Sequence, residues 1–343
     1  NDYDIVYSHL PEHTGQLKNL LFNTTDICPT IIGYTHWTEF KEITNYEYEV
    51  GLAFNIIGLL QMDKCGINTQ AQKELVLKNA KEHFNDDVIK QLDEILEPHY
   101  LGWETPEYEQ QTTDKNIIVY NHRPHTYKNY PWFLEQMDKL YEERQDFEVW
   151  VPLADKKEKD YMTIDKYDRF GYFSKLSSCK VGVCCKQKYE GWAVSATDGM
   201  SVGVPYMFSD DGSYHELADE AGIYYKGSDD FLKLMNKALD DKEFRNEYSE
   251  KSLQRFKDSK WEKQIQRIND TFNSAISNLR PIKETESYNK IVEFIRTKKS
   301  VTKNEILLHM GWGVRIGFTT YRNRLRNEKD IKFTKNRYEV INK

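Results

Sequence analysis

Short apolar runs alternate with longer amphipathic stretches from the start of the chain to about residue 235. Runs of four or five apolar residues predict buried strands, and apolar positions three or four apart predict helices. Strands that alternate with helices are typical of parallel sheets built from strand, helix and strand units. The pattern therefore predicts an α/β protein.

Two sets of strands are separated by a polar, proline-containing stretch at residues 104–115. The first set has predicted strands at 4–7, 30–34 and 64–68 and predicted helices at 14–22, 46–60 and 71–83. The second set has predicted strands at 116–120, 147–151, 181–185, 205–209 and 222–225. Parallel sheets bind ligands beyond the carboxyl ends of their strands. We therefore expect two Rossmann-like domains, joined by a linker, with a ligand site at those ends.

The last part of the chain has a different order of elements. Charged helical stretches run from residue 229 to about residue 279, and Pro281 ends them. Three further helices are predicted at 288–297, 302–309 and 319–327, and two short strands at 331–334 and 338–341. We interpret three helices followed by a hairpin as a winged-helix-like module. The predicted domains are thus residues 1–110, 111–280 and 285–343.

A chain of 343 residues with 39% hydrophobic residues is long enough for more than one core. The sequence contains no run of about 18 apolar residues and does not open with a basic flank and an apolar core. It therefore predicts neither a membrane span nor a signal peptide. The five cysteines are odd in number and lack CxxC spacing, which favours reduced, structural thiols. We expect a soluble, cytoplasmic protein.

Charge is distributed unevenly along the chain. Residues 283–343 contain 15 Lys and Arg against 7 Asp and Glu, a net charge of +8. The whole chain carries −7, so the other 282 residues carry −15. Parts of opposite charge usually meet different partners. We therefore expect the basic tail and the acidic body to bind different molecules.

The stretch from Tyr189 to Pro205 follows the predicted strand 181–185. Glu190 precedes a glycine, and Asp198 comes eight residues later, with a helix expected to begin between the two carboxylates. The free N–H groups at that helix start can hold a diphosphate. Both carboxylates can reach one pocket at this spacing and accept hydrogen bonds from sugar hydroxyls. The alternative is a solvated loop glutamate and a helix-surface aspartate.

This stretch resembles a motif of the glycosyltransferase group 1 family, the retaining enzymes of the two-domain GT-B type. The family's motif is approximately E-G-[FW]-G-x4-E-A-M-x-x-G-x-P, and Asp198 stands where its second glutamate usually stands. The positions that match in register are Glu190, Gly191, Trp192, Met200, Gly203 and Pro205. The following segment, FSDDGSYHELADEAGIYY, also resembles the family's next strand, loop and helix, with Gly212, Glu216 and Gly222 in place.

The resemblance implies a nucleotide-sugar donor, expected to be a UDP-sugar, with no metal and no other cofactor. It implies that Glu190 is catalytic and that the donor is bound by Gly191, Trp192, Ala193, Val194 and Asp198. Residues 2–4 spell a metal-binding DxD motif, but they open a strand and are interpreted as structural.

A second match lies at the start of the second domain. Arg123 follows the predicted strand 116–120, and Lys128 comes five residues later, as in the family's R-x4-K pattern. A leaving nucleoside diphosphate gains negative charge, which two cations and a helix N-terminus stabilise without a metal. The resemblance therefore implies a catalytic role for Arg123 and Lys128. The alternative is two solvated surface charges.

The first domain carries a weaker match. Its segments DIVYSH and PTIIGYTHW resemble family strands that end in a histidine, and His36 stands at the position that faces the donor sugar in many relatives. The resemblance implies a catalytic role for His36, and the alternative is a histidine that serves the core or a loop. The glycine-rich loop that follows the family's first strand is not found, so this acceptor-side domain is expected to be incomplete.

Cations of the tail are candidates for contact with nucleic acid. They are Arg322, Arg324 and Arg326 on a predicted helix and Lys335 and Arg337 on the predicted hairpin. A helix together with a basic hairpin suits phosphate contacts on both sides of a groove. The alternatives are a tail that docks on the acidic body and a tail that binds a partner protein.

The leading hypothesis is a retaining transfer of a sugar from a nucleotide donor to a hydroxyl acceptor. The basic tail suggests a hydroxymethylated base in DNA as the acceptor, as in phage enzymes that glycosylate their own genomes. A phage-encoded protein would act in the host cytoplasm. Two alternatives stay open, namely transfer to a glycan, lipid or protein, and a non-catalytic DNA-binding relative.

Overall fold

The fold is seen in a computed structural model, which describes residues 5–24, 30–36, 55–187, 191–277, 286–310, 325, 328, 330–334 and 337–341. Contacts divide these residues into two compact units. One unit contains the described residues up to 34, from 55 to 65 and after 270, and the other contains 35–36 and the described residues of 66–270. This division differs from the three predicted domains, which stay a prediction.

The first sheet contains β1 (Ile5–Ser8), β2 (Thr30–Thr35), β3 (Lys64–Ile67) and β4 (Leu96–Pro98), in that order across the sheet, with β1 parallel to β2. Its helices are α1 (Pro11–Thr24), α2 (Gln70–Ala80) and α3 (Asp86–Ile95), and residues 55–59 are also helical. Side chains cap two of these helices, since Thr69 accepts from the amide of Gln72 and Asn85 accepts from that of Val88. The rest of the predicted helix 46–60 lies outside the described residues.

The second sheet has six strands, β5 (Asn116–Val119), β6 (Phe147–Trp150), β7 (Met162–Thr163), β8 (Val181–Cys184), β9 (Tyr206–Ser209) and β10 (Gly222–Tyr225). Their order across the sheet is β10-β9-β8-β5-β6-β7, and every neighbouring pair is parallel. The chain runs outward from β5 on one side and then returns to place β8 on the other side. This reversal makes the carboxyl ends of β5 and β8 the topological switch point, where such sheets bind ligands.

The helices of the second sheet are α4 (Tyr130–Glu143), α5 (Arg169–Ser177), α6 (Val194–Ser201), α7 (Gly212–Ala218), α8 (Gly227–Asp240), α9 (Lys242–Asp258) and α10 (Trp261–Ser277). Two separate apolar clusters pack on the sheet, one on each face, because successive strand residues point to opposite faces. Ile118 belongs to the cluster with α4 and α8, whereas Ile117 and Val119 belong to the cluster with α5, α6 and α7. Both faces of the sheet are therefore covered, which explains why its strands are continuous apolar runs in the sequence.

Two glycines bring α6 close to the sheet. A Cβ atom on Gly182 of β8 or on Gly199 of α6 would lie 2.2 or 2.1 Å from ring atoms of Tyr206, which is fully buried. The ring of Tyr206 therefore packs directly against both backbones. This close packing fixes where α6 begins relative to the carboxyl end of β8.

The described part of the tail contains α11 (Glu286–Lys298), β11 (Ser300–Thr302), α12 (Lys303–His309), β12 (Ile331–Thr334) and β13 (Arg337–Val340). Its three strands are antiparallel in the order β11-β13-β12. Apolar side chains of these elements, among them Ile291, Ile295 and Tyr338, form a core together with Leu325. The predicted helix 319–327 lies outside the described residues apart from Leu325, and β11 is an element that the sequence did not predict.

Candidate functional site

The loop after β5 carries the two predicted cations. Arg123 is exposed, and its carbonyl accepts a hydrogen bond from the amide of His125 (2.8 Å). Lys128 ends a short 3₁₀ helix, Thr126–Lys128, and its Nζ lies 5.4 Å from the ring centroid of Tyr127. The hydroxyl of buried Tyr120 donates to the carbonyl of Lys128 (2.8 Å), so the loop is anchored to the core at both ends.

Helix α6 begins at Val194, and the residue before it, Ala193, has no side chain that could cap the helix. The amides of Ala196 and Thr197 donate to the carbonyl of Ala193 (3.0 and 3.1 Å). The first N–H groups of a helix have no acceptor within the helix, and the helix dipole adds positive potential there. The start of α6 is therefore suited to an anion, as the sequence predicts.

Hydrogen bonds join the loop after β5 to the start of α6. Nδ1 of His122 lies 2.8 Å from Oγ of Ser195, and Nδ2 of Asn121 donates to the carbonyl of Ser195 (2.7 Å). The hydroxyl of Tyr206 donates to Oδ1 of Asn121 (3.0 Å), which fixes the orientation of that amide. The two predicted motifs are thus brought together at the switch point of the sheet, with Arg123 next in the chain to His122.

Burial keeps the imidazole of His122 neutral. The residue is 3% exposed, and desolvation, with a further contribution from the charge of Lys128, lowers its pKa to about 3. Its Nε2 lies 2.9 Å from Sγ of buried Cys184 at the end of β8. His122 therefore uses both ring nitrogens inside the protein, one toward β8 and one toward α6.

Asp198 lies on α6, but its carboxylate is directed to a tyrosine. The hydroxyl of Tyr172 on α5 donates to Oδ2 of Asp198 (3.1 Å), and Tyr172 in turn accepts from Nδ2 of Asn121 (2.9 Å). Desolvation raises the pKa of Asp198 to about 7, although the bond from Tyr172 and the charge of Arg169 act in the opposite direction. The predicted contact of Asp198 with a ribose stays a prediction.

Gly191 adjoins the residues that hold His36. The carbonyl of His36 accepts hydrogen bonds from Nδ2 of Asn68 (2.7 Å) and Nε2 of Gln72 (2.8 Å). A Cβ atom on Gly191 would lie 2.2 Å from Oε1 of Gln72 and 2.7 Å from Nδ2 of Asn68. Two amide side chains thus lie between His36, whose side chain is exposed, and the segment that leads into α6.

Glu216 holds the start of α2. Its carboxylate accepts hydrogen bonds from the backbone amides of Gln70 (2.7 Å) and Ala71 (2.6 Å). A carboxylate at a helix N-terminus satisfies two free donors and is favoured by the helix dipole. Glu216 therefore fixes α2, which carries Gln72, against α7 of the second sheet.

The remaining predicted donor-binding residues occupy different surroundings. Trp192 is buried and stacks on Tyr100, with ring centroids 5.8 Å apart, whereas Val194 is 46% exposed. Glu190 lies outside the described residues. The same holds for the predicted nucleic-acid contacts Arg322, Arg324, Arg326 and Lys335.

Arg337 is the one predicted nucleic-acid contact in the described part of the chain. Its guanidinium donates to Oγ (2.8 Å) and to the carbonyl oxygen (3.1 Å) of Ser300, and it lies 3.5 Å from a carboxylate oxygen of Glu305. These bonds join β13 to β11 and to α12. Arg337 thus takes part in the internal structure of the tail.

Sequence reasoning missed four residues of this site, namely Asn121, His122, Ser195 and Gln72. Asn121 and His122 lie between β5 and Arg123, and Ser195 follows Val194, a predicted donor-binding residue. The strand order that makes these residues neighbours was not predicted. Gln72 lies in a predicted helix, and no role was predicted for its own position. No cluster of three or more metal-binding side chains occurs among the residues that the structure describes, so the absence of a metal stays a prediction.

No protein-family profile and no curated protein sequence matches this chain. Solved structures do match, among them TarM from S. aureus, which is 14% identical with a TM-score of 0.61 over 78% of this chain. This chain spans about half of TarM, covering 54% of its length.

Among the described helices, none is long and apolar enough to cross a membrane.

Two further solved structures are similar over most of their own length. Sucrose-phosphate synthase from Thermosynechococcus elongatus is 12% identical, with a TM-score of 0.61 over 80% of this chain and 74% of the synthase. HepE from Anabaena, solved with UDP and glucose, is 10% identical, with a TM-score of 0.63 over 79% of this chain and 78% of HepE. At these identities the likeness shows the fold, and it is the fold of GT-B glycosyltransferases.

Proposed function

We propose that this protein transfers a sugar from a nucleotide-sugar donor, expected to be a UDP-sugar, to a hydroxyl acceptor. The observation that carries the proposal is the contact between His122 and Ser195, since it joins the loop of Arg123 and Lys128 to the start of α6. Two cations and free helix amides then lie on segments that meet at the switch point of a parallel sheet. That combination suits a diphosphate.

The proposed chemistry needs stabilisation of the leaving nucleoside diphosphate. Negative charge grows on its phosphate oxygens as the bond to the sugar breaks, and preorganised positive groups act most strongly on such developing charge. Arg123 and Lys128 supply full charges, and the amides at the start of α6 supply partial charges. Glu190 and His36 are proposed to hold the sugar, and retention is proposed from the resemblance of the motif.

The proposed acceptor is a hydroxymethylated base in DNA. The tail has a net charge of +8, while the rest of the chain carries −15. A polyanion would therefore be attracted to the tail and repelled by the rest of the chain. The strand order β11-β13-β12, with helices before the last two strands, supports the winged-helix interpretation. A glycan, lipid or protein acceptor is the second candidate. It is favoured by the hydrogen bonds of Arg337 to Ser300, because they engage a predicted DNA contact within the tail.

The test is a transfer assay with UDP-glucose and other nucleotide sugars. Duplex DNA with hydroxymethylated cytosine is compared with the same duplex without the modification, and the sugar is detected by mass spectrometry. We expect transfer to the modified duplex and none to the unmodified one. Transfer only to glycan, lipid or protein acceptors would contradict the DNA acceptor and leave the proposed sugar transfer standing. If no nucleotide sugar is consumed with any acceptor, the proposed function itself is wrong.

A further inference from the structure

Three side chains form a hydrogen-bonded chain that runs from the core to the first turn of α6. Sγ of Cys184 lies 2.9 Å from Nε2 of His122, and Nδ1 of His122 lies 2.8 Å from Oγ of Ser195. Cys184 is fully buried and His122 is 3% exposed, whereas Ser195 is partly exposed. The chain therefore has a buried end and an end that faces the start of the helix.

The tautomer of His122 determines what Ser195 can do. A neutral imidazole donates from one ring nitrogen and accepts at the other. When the thiol of Cys184 donates to Nε2, Nδ1–H donates to Oγ of Ser195, and the serine O–H is left to donate elsewhere. In the opposite arrangement Ser195 donates to Nδ1 and offers only lone pairs to a ligand. An anion at the start of α6 selects the first arrangement, because only that one presents a donor.

We propose that Ser195 is a diphosphate-binding residue of the donor site and that His122 and Cys184 are positioning residues that direct its hydroxyl toward the diphosphate. This inference rests on the proposed function and deepens it, because it names the side chain that meets the phosphate. The contact is a charge-assisted hydrogen bond, which is stronger than one between neutral groups. The low pKa of His122 agrees with it, since a neutral ring is needed for the relay.

Two further features of the backbone support this role. Ser195 is the second residue of α6, where backbone N–H groups lack acceptors within the helix and Ala193 offers no cap. The carbonyl of Ser195 is held by Asn121 (2.7 Å) and by the hydroxyl of Tyr206 (3.3 Å), so its backbone is fixed independently of its side chain. The hydroxyl is thus the only part of Ser195 that the relay has to orient.

An independent observation at the segment before α6 also points to a ligand. Oε1 of Gln72 is buried and has no hydrogen-bond partner among the described residues. Its Nε2 donates to the carbonyl of His36, which fixes the orientation of the amide and directs Oε1 toward Gly191. A buried acceptor without a donor is costly unless a ligand or water supplies one. A sugar hydroxyl next to the diphosphate would supply that donor.

The test is a calorimetric titration of the full chain with UDP. Ser195→Ala should weaken UDP binding about tenfold or more, because it removes a hydrogen bond to a charged group. Ser201→Ala is the matched control, since Ser201 lies on the same helix but donates to the carbonyl of Asp198 (2.7 Å). The control should bind UDP as the unaltered protein does. Unchanged affinity of Ser195→Ala would overturn the inference.

A double-variant cycle tests the positioning role of His122. His122→Leu should lose part of the affinity that Ser195→Ala loses, and the double variant should bind no more weakly than Ser195→Ala alone, since His122 acts through Ser195. His122→Asn keeps a donor near the position of Nδ1 and should restore part of the affinity. Thermal unfolding identifies variants that fail to fold, and His122→Gln, which keeps a polar group near the position of Nε2 but not of Nδ1, then replaces His122→Leu in the cycle.

Additive losses in that cycle would contradict a relay and indicate a purely structural role for His122. The proposed function fails in a different way. If the unaltered protein binds neither UDP nor any other nucleoside diphosphate, the donor site itself is wrong. If it binds UDP but Ser195→Ala binds equally well, only the relay is wrong.

Discussion

Oγ of Ser195 lies 2.8 Å from Nδ1 of His122, although the two residues are 73 positions apart in the chain. This contact exists because β8 returns to the side of β5 at the switch point of the second sheet. It places the loop that carries Arg123 and Lys128 beside the start of α6.

Loss of either cation should slow sugar transfer. Arg123→Ala or Lys128→Ala should remove about 2.7 to 4 kcal/mol of transition-state stabilisation, by analogy with the loss of one oxyanion donor, so turnover should fall about a hundredfold or more. Lys115→Ala is the control, because Lys115 precedes β5 at the opposite end of the strand and is 71% exposed. Steady-state kinetics with a UDP-sugar measure the effect. Near-normal turnover of Arg123→Ala and Lys128→Ala would show that these cations do not meet the diphosphate.

Gly191→Ala should destabilise the protein. The new Cβ would lie 2.2 Å from Oε1 of buried Gln72, so the amide must move and lose its bond to the carbonyl of His36. We expect a loss of about 1 to 3 kcal/mol in the free energy of unfolding, measured with urea. Gly15→Ala on α1 is the control, since its nearest atom would lie 3.9 Å away, and it should be neutral or stabilising. Equal stability of the two variants would show that Gln72 is not held as described.

Asp198 should make stability depend on pH between about 4 and 7. Its carboxyl stays protonated in the folded state up to a pKa of about 7, above the ordinary value of 3.8, so the folded state binds more protons in this window. The contribution of Asp198 is therefore most favourable below pH 4 and is lost as the pH rises toward 7. Asp198→Asn removes this dependence. The difference in unfolding free energy between the two proteins should fall by at most about 4 kcal/mol across the window, and a constant difference would contradict burial of the carboxyl.

Turnover should not require a divalent metal. Arg123, Lys128 and the start of α6 supply the positive charge that a metal would otherwise provide. Addition of a chelator should change the rate by less than about twofold by this argument. Loss of activity that manganese or magnesium restores would refute it.

The tail should bind duplex DNA with a steep dependence on salt. Neutralisation of about four phosphates gives a log–log slope of about −3.6, which should shrink by about one for each of Arg322 and Arg324 replaced by alanine. Lys139→Ala, in the body of the protein, is the control and should leave the slope unchanged. Gel-shift titrations of the full chain at several salt concentrations measure the slope. Absence of binding at low salt would favour a glycan, lipid or protein acceptor.

Most of the two sheets could be predicted from the sequence. The eight strands predicted in the first 235 residues are all found, because parallel strands covered on both faces appear as apolar runs. Strands β4 and β7 were missed because three and two residues are too short to show a pattern. Helix α3 was missed because six of its ten residues are polar or charged, with a single fully buried position at Leu92.

Less of the candidate site could be predicted. The resemblance to the family's motifs pointed to Arg123, Lys128 and Asp198, since motifs are local features of the sequence. The partners of these residues depend on strand order, which local patterns do not contain. His122 and Ser195 therefore remained unremarkable in the sequence, and the bond of Asp198 to Tyr172 could not be foreseen.

The central claim is that a nucleoside diphosphate binds between the loop after β5 and the start of α6. A crystal structure of this protein with UDP tests it most directly. We expect the diphosphate within hydrogen-bonding distance of Arg123 or Lys128, of Oγ of Ser195 and of the first amides of α6. UDP bound at another place, or no bound UDP at a concentration that saturates binding in solution, would contradict the claim.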